Sequence, residues 1–271
     1  MAEHCSHLRC GLSPLVNCLF FIVTFSRQAV ERMRILILSD LHSNWIALQA
    51  VLEQVQQFDA CLVLGDLVEY GPQPREVIDW VQQHATVCIR GNHDHAVAEF
   101  LRPRREDTPW HLLRNHLRFY HWQTMTTSEI RYLRSLPLRE RWAADELIFH
   151  LVHASPLDPL HEYLIDNLSI WNERAAGLEG DFLCVGHTHR QLNMPLANLT
   201  LINPGSVGQQ KEGGGVANYV LIENGQPQLL SASYSLDVLM DAYLATGLDS
   251  QVCYLARLVY QQGFRMVEPI K

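Results

Sequence analysis

The sequence predicts an α/β protein with a parallel sheet at its start and a second sheet packed on it, and three observations carry that expectation. Strand-like apolar runs alternate with helical-period segments from Met33 onward. Antiparallel hairpin signals collect toward the C-terminus. The chain of 271 residues, 48% apolar and 18% charged, is long enough to bury a full core in one domain.

Each element has its own local reason. Ile35 to Ser39 reads as a strand covered on both faces. Ser43 or Asn44 can cap the following helix, whose apolar residues Ile46, Leu48, Val51, Leu52 and Val55 recur near helical period. Cys61 to Leu64 is a second buried strand, Pro74 to Gln83 a helix with Pro74 in its first turn, and Thr86 to Ile89 a third strand. This β-α-β-α-β order implies parallel pairing. Leu147 to Val152 and Phe182 to Val185 read as later strands. Hairpins follow at Gln191 to Leu196 with Leu199 to Ile202, and at Val216 to Glu223 with Gln226 to Ser233 around Asn224-Gly225. These antiparallel strands are expected to make the second sheet. Helices at about Asp237 to Ala245 and Ser250 to Gln262 close the chain.

Charge and cysteine usage bound the function. With 29 acidic and 21 basic residues the formal charge is -8, which disfavours a stable nucleic-acid complex because no phosphate-neutralising stripe is present. The cysteine count is odd, at 7, without a C-x-x-C pair, and Cys61, Cys88 and Cys184 lie inside apolar runs. They read as reduced and buried, so the expected compartment is cytoplasmic. Residues 1–32 are expected to be an N-terminal extension to a domain at 33–271, either an over-called start ahead of Met33 or a weak signal-like segment. The apolar run from Leu15 to Phe25 is roughly half of the ~20 residues that span a bilayer, so no membrane association is expected. His4, Cys5, His7 and Cys10 lack a second ligand pair at finger spacing and carry no metal-site expectation.

Seven potential metal ligands fall in five short blocks, Asp40-Leu-His42, Gly65-Asp66, Gly91-Asn92-His93-Asp94, Val152-His153-Ala154 and Gly186-His187-Thr188-His189. Carboxylate, amide and imidazole ligands without thiolate suit manganese foremost, with iron, zinc, nickel or cobalt also compatible, and point to hydrolysis by metal-activated water. Every block stands at the C-terminal end of an expected strand, where open α/β sheets gather their ligand-binding loops. D-x-H and Gly-Asp are weak signals alone, whereas a given G-N-H-D or G-H-T-H string occurs by chance on the order of once in a thousand chains of this size.

Through these blocks the chain resembles the calcineurin-like metallophosphoesterases. More narrowly it resembles the small bacterial branch related to diadenosine tetraphosphatases, through Ser39-Asp40-Leu41-His42-Ser43-Asn44, Gly65-Asp66-Leu67-Val68-x-Tyr70-Gly71-Pro72 and Asn203-Pro204-Gly205-Ser206-Val207-Gly208. The resemblance implies a four-layer αββα sandwich of two mixed sheets with a small helical cap. It also implies a two-metal site, with Asp40, His42, Asp66 and His189 on one ion, Asp66, Asn92, His153 and His187 on the other, and Asp66 bridging. Two dications and two carboxylates leave about +2 of charge, which neutral imidazoles do not cancel. The implied activity is hydrolysis of a small phosphodiester, phosphomonoester or nucleotide by a metal-bridging hydroxide.

His93 is the expected general acid, with Asp94 orienting its ring. Asn44 and Tyr70 lie close enough in sequence to the ligands to touch substrate. The protein serine/threonine phosphatases of the superfamily carry G-D-x-V-D-R-G, and this chain has Tyr70 where they have the arginine, which argues against a phosphoprotein substrate. Between Asp94 and His153 a helical cap is expected, with an aromatic stretch from Pro109 to Trp122 and a capping box at Thr126 and Glu129. Its aromatics read as core or partner contacts, and Arg102, Arg104 and Arg105 as a solvated charge run. The competing class is a non-catalytic protein-binding scaffold on the same fold. Oligomeric state is not encoded in any of these features.

Overall fold

The computed structural model describes residues 32–103 and 108–263. The run from Leu15 to Phe25, the early His and Cys residues, Arg104 and Arg105 lie outside the described residues.

The first sheet starts with β1 (Ile35–Leu38), β2 (Ala60–Val63) and β3 (Val87–Cys88), joined by α1 (Trp45–Val55) and α2 (Pro74–His84) as parallel crossovers. Asn44 caps α1 by accepting from the backbone N–H of Ala47 at 3.0 Å, and Pro74 opens α2 with the fixed φ that a first turn needs. The second sheet holds β4 (Arg139–Ala144), β5 (Leu147–Val152), β6 (Phe182–Cys184), β7 (Gln191–Pro195) and β8 (Thr200–Pro204), in the order β4-β5-β6-β8-β7. The hairpin of β9 (Val216–Glu223) and β10 (Gln226–Ser233) corrects one expectation. It returns to the first sheet, where β9 pairs antiparallel with β1, so the order there is β10-β9-β1-β2-β3.

Period-two alternation decides which face each strand residue serves. Ile35, Ile37, Ala60 and Leu62 meet Phe149, Leu151, Phe182, Cys184, Ile202 and Val220 between the sheets. The alternate residues Leu36, Leu38, Cys61 and Val63 face Leu48, Val51, Ile78 and Val81 of the helices. Burying each such aliphatic side chain stabilises the fold by roughly 2 kcal/mol. Leu183, Leu201 and Val152 line the outer face of the second sheet against Trp171 of α6 (Leu168–Arg174). The result is the expected four-layer αββα sandwich.

The cap is less separate than the sequence suggests. Its helix α4 (Pro109–Thr124) shares a core of Trp110, Leu113 and Leu117 with Leu239 and Tyr243 of α7 (Leu236–Ala245) and Val252 and Val259 of α8 (Ser250–Gln262). The next helix, α5 (Thr127–Ser135), opens on the expected capping box and joins the helical layer through Ile130 and Leu133. Three elements carry too weak a pattern to be read beforehand. These are the seven-residue α3 (Asn92–Ala98), the equally short α6, and the exposed β4, whose hairpin turn uses Asp145 and Glu146 at φ 52° and 65° in place of glycine. Among the described residues, no helix is long and apolar enough to cross a membrane.

Candidate metal centre

Both sheets contribute to one site. Asp40, Asp66 and Asn92 follow β1, β2 and β3 of the first sheet, and His153 and His187 follow β5 and β6 of the second. Chain reversal at these strand ends is sharp. Asp40, His42, Asp66, His187 and His189 all have φ between 46° and 63°, a left-handed conformation uncommon for side-chain-bearing residues. Backbone bonds fix the turns, with the Asp40 N–H donating to the Gly65 carbonyl at 3.0 Å and the Gly186 N–H to the His153 carbonyl at 2.8 Å. The loop from Gly205 to Lys211 closes over them, as the Gly208 N–H reaches the Asp40 carbonyl at 2.9 Å. A Cβ on Gly208 would lie 1.9 Å from the Leu41 carbonyl oxygen, so that approach requires glycine.

The ligand atoms converge. Asp40, His42 and His189 form one group with ligand atoms within 4.8 Å of one another, and Asp66, His153 and His187 form another. A third grouping joins His42, Asp66 and His93. His189 Nε2 stands 3.1 Å from Asp40 Oδ1, His153 Nε2 3.2 Å from Asp66 Oδ2, and Asn92 Oδ1 3.1 Å from His153 Nε2. Each carboxylate has one oxygen tied down: Asp40 Oδ2 accepts from Ser39 Oγ at 2.6 Å and from the His187 N–H at 3.2 Å, and Asp66 Oδ1 from the His93 N–H at 2.9 Å. Their other oxygens, Asp40 Oδ1 and Asp66 Oδ2, are buried without a hydrogen-bond partner.

Three imidazoles are held from behind. His42 Nδ1 donates to the Val68 carbonyl at 3.0 Å, His153 Nδ1 to that of Leu64 at 2.7 Å, and His189 Nδ1 to that of Gln209 at 2.6 Å. With the proton on Nδ1, the Nε2 lone pair of each faces the centre, the tautomer a cation needs. Burial and repulsion from His189 and His93 bring His42 down to about 3, and burial with repulsion from His153 does the same for His187. Burial also opposes charge on His153, but the Asp66 carboxylate outweighs it and raises that imidazole to about 9. Burial pushes the Asp40 carboxyl up, and the stronger combined pull of His189 and His153 holds it well below its ordinary range. The donor set therefore fits divalent cations: orphaned carboxylate oxygens, oriented imidazoles and no thiolate.

His93 differs from these groups. Its Nδ1 donates to the carboxylate of Glu69, while its Nε2 lies 3.9 Å from Asp66 Oδ2. The geometry corrects the expectation that Asp94 orients this ring. The Asp94 carboxylate instead accepts from the backbone N–H groups of Asp66 and Leu67, each at 2.8 Å, and of Gly91 at 2.9 Å. Burial and the nearby Asp66 charge push Asp94 up to about 7. It ties the second and third blocks together.

Glu69 was not legible as a functional residue. Fully buried, it is gripped by the Arg118 guanidinium from α4, with Nη2 to Oε2 at 3.1 Å and a second contact from Nε. Burial raises the Glu69 carboxyl, and His93 and Arg118 together bring it down to about 2. The Glu69 N–H donates to His121 Nδ1 at 3.2 Å, and His121 Nε2 donates to the Gly71 carbonyl at 3.0 Å.

The two expected substrate contacts separate. Tyr70 reaches the site, its ring 4.9 Å from that of His42 and 5.4 Å from that of His93. Asn44 does not: it is fully buried, capping α1 and donating to the Gly208 carbonyl at 2.8 Å and to Tyr234 Oη at 3.3 Å. Its polar capacity is spent on the scaffold. Arg102 is exposed, as expected of a solvated charge. Trp110 is 4% exposed and belongs to the core.

Comparison with known proteins agrees with this geometry. Residues 33–225 match the calcineurin-like phosphoesterase superfamily domain, and the chain belongs to that family. An uncharacterized protein of Methanocaldococcus jannaschii is 30% identical over 212 residues, covering 70% of this chain and 82% of its own. The crystal structure of a metallophosphoesterase from Sphaerobacter thermophilus is 29% identical and superposes with a TM-score of 0.68 over 83% of this chain and 98% of that one. A hypothetical protein from Pyrococcus horikoshii OT3, 21% identical, shares the fold with a TM-score of 0.71 over 85% of this chain and 98% of its own.

Proposed function

We propose that this chain is a dinuclear metal-dependent phosphoesterase hydrolysing small phosphoesters of the phosphodiester or nucleotide type. The observation that carries the reading is the pair of buried, unpartnered carboxylate oxygens, Asp40 Oδ1 and Asp66 Oδ2, facing the imidazoles of His42, His153 and His189. Asp40, His42, Asp66 and His189 would hold one cation and Asp66, Asn92, His153 and His187 the other, manganese foremost. The pair, when bound, supplies Lewis acidity toward phosphoryl oxygens and a water deprotonated near neutral pH.

The remaining chemistry belongs to the side chains. His93, with Nδ1 fixed by Glu69, keeps Nε2 directed at the centre and protonates the departing ester oxygen. Tyr70 packs against His42 and His93 and narrows the rotamers open to both. Residues 33–271 act as the catalytic unit, and residues 1–32 are an extension to it.

The test is hydrolysis of bis-p-nitrophenyl phosphate by chain stripped of metal and reloaded with manganese, alongside metal analysis. Two equivalents of metal and turnover lost in Asp66→Asn are expected. Full metal occupancy without turnover of any phosphoester, together with a tightly bound protein partner, would assign the scaffold function instead. Turnover confined to a phosphoprotein would assign a protein phosphatase.

A further inference from the structure

A half-buried cation stands beside the metal centre and takes no part in the chemistry described above. Lys211 ends the loop that closes over Asp40 and lies two residues beyond Gln209, whose carbonyl accepts from His189. Its Nζ donates to Tyr163 Oη at 2.5 Å and sits 4.4 Å from the centroid of the same ring. The Tyr163 ring in turn packs edge-on against that of the expected ligand His187, at 5.6 Å. One phenol thus bridges the ammonium and the metal-site imidazole.

The segment that presents Tyr163 is firmly held. Asp158 accepts from the backbone N–H groups of Leu160 at 3.0 Å and His161 at 3.1 Å. Glu162, next to Tyr163, receives Arg174 Nη2 at 2.7 Å and Nε at 3.0 Å, and the Ser155 hydroxyl as well. Despite this anchoring Tyr163 remains 48% exposed while its ring packs beside His187. Arg190, directly after His189, is exposed on the same side and adds to the positive field at Lys211 and Tyr163.

We propose that Lys211 and Tyr163 form an anion subsite on the His187 side of the centre, taking a second anionic group of the substrate, phosphoryl or carboxylate, beyond the phosphate being cleaved. The proposal rests on the phosphoesterase reading. Burial brings the Lys211 amine down toward about 8, Asp40 draws it up and Arg190 draws it down. Charge-assisted contacts between an ammonium and an anion are among the stronger polar interactions. The place of the subsite also separates two tasks. His93 serves the departing oxygen from the side of His42 and Tyr70, while Lys211 and Tyr163 select what else the substrate carries.

Matched substrates that differ by one anionic group test this: glycerol 3-phosphate with 3-phosphoglycerate, glucose 6-phosphate with 6-phosphogluconate, and adenosine 5′-phosphate with adenosine 3′,5′-bisphosphate. The wild-type chain is expected to favour the more anionic member of at least one pair by about tenfold, carried in KM. Lys211→Met is expected to abolish that preference while the less anionic members change by less than about threefold, and Lys211→Arg to retain part of it. Isothermal titration of the same pairs into His93→Ala gives the preference as a Kd ratio without turnover. No preference in the wild-type chain, or one unchanged in Lys211→Met, would overturn the subsite. Absence of turnover for every pair member and for bis-p-nitrophenyl phosphate would overturn the phosphoesterase reading itself, and the subsite with it.

Discussion

Glu69 holds the ring of His93 by Nδ1, and the carboxylate that does so is fully buried and braced from α4 by Arg118. The left-handed turn at Glu69 and Tyr70, with φ of 67° and 56°, folds the block after Asp66 back so that two residues from different loops meet. A carboxylate on Nδ1 fixes the tautomer and keeps Nε2 aimed at the candidate metal centre.

Glu69→Gln should therefore damage proton delivery more than binding. With an alkyl leaving group, kcat is expected to fall about 10- to 100-fold, within the range general acids supply. Bis-p-nitrophenyl phosphate, whose leaving group needs no proton, should change by less than about threefold. Equal losses on both substrates, in a variant that melts like the wild type, would remove Glu69 from the proton-delivery path.

Asp94 should behave as a structural residue. Asp94→Ala leaves the N–H groups of Asp66, Leu67 and Gly91 without their acceptor, and each buried unsatisfied group costs about 1–3 kcal/mol. Urea denaturation is expected to show a loss of about 3–5 kcal/mol, with weakened metal affinity because Asp66 loses its anchor. A variant of wild-type stability with a selective defect on poor leaving groups would return the orienting role to Asp94.

His121 gives the fold a defined acid sensitivity. Burial holds its imidazole down to about 4, against an ordinary value of 6.5. Below pH 6.5 the unfolded chain binds this proton and the folded chain does not, so stability falls as pH drops from 6.5 toward 4, by up to about 1.4 kcal/mol per pH unit. His121→Asn should flatten that part of the profile in metal-free protein. Identical slopes for wild type and variant between pH 7 and 4 would show that His121 contributes nothing to it.

The parts of the site visible in the sequence and the parts hidden from it divide along a physical line. Asp40, Asp66, Asn92, His153 and His187 were legible because apolar runs announce strands, and strand ends in such sheets converge. The partner of His93 was not, because Asp94 is its neighbour in sequence while Glu69 becomes its neighbour only through a left-handed turn. Arg118 reaches Glu69 across 49 positions, from a helix whose apolar face packs on α7 and α8, and no local pattern records that contact. Asn44 shows the converse: its capping role was written in the sequence, and proximity to His42 suggested a substrate contact that its burial rules out. For the sheets, the hairpin of Val216 to Ser233 was clear in outline, but its pairing with β1 depends on a contact between the two ends of the domain.

The division of the candidate ligands between two sheets has a kinetic meaning. Cations bridging residues from Asp40 to His189 would rivet strands distant along the chain, so neither sheet could peel away while the centre stayed intact. Such long-range contacts are expected to form after the folding barrier, which places metal loading on the unfolding limb. Manganese should slow unfolding in urea by tenfold or more, on the order of the 1.4 kcal/mol that each factor of ten represents, and leave refolding nearly unchanged. Stopped-flow traces with and without metal measure both limbs, and a metal effect confined to refolding would mean that the centre assembles first and the sheets close around it.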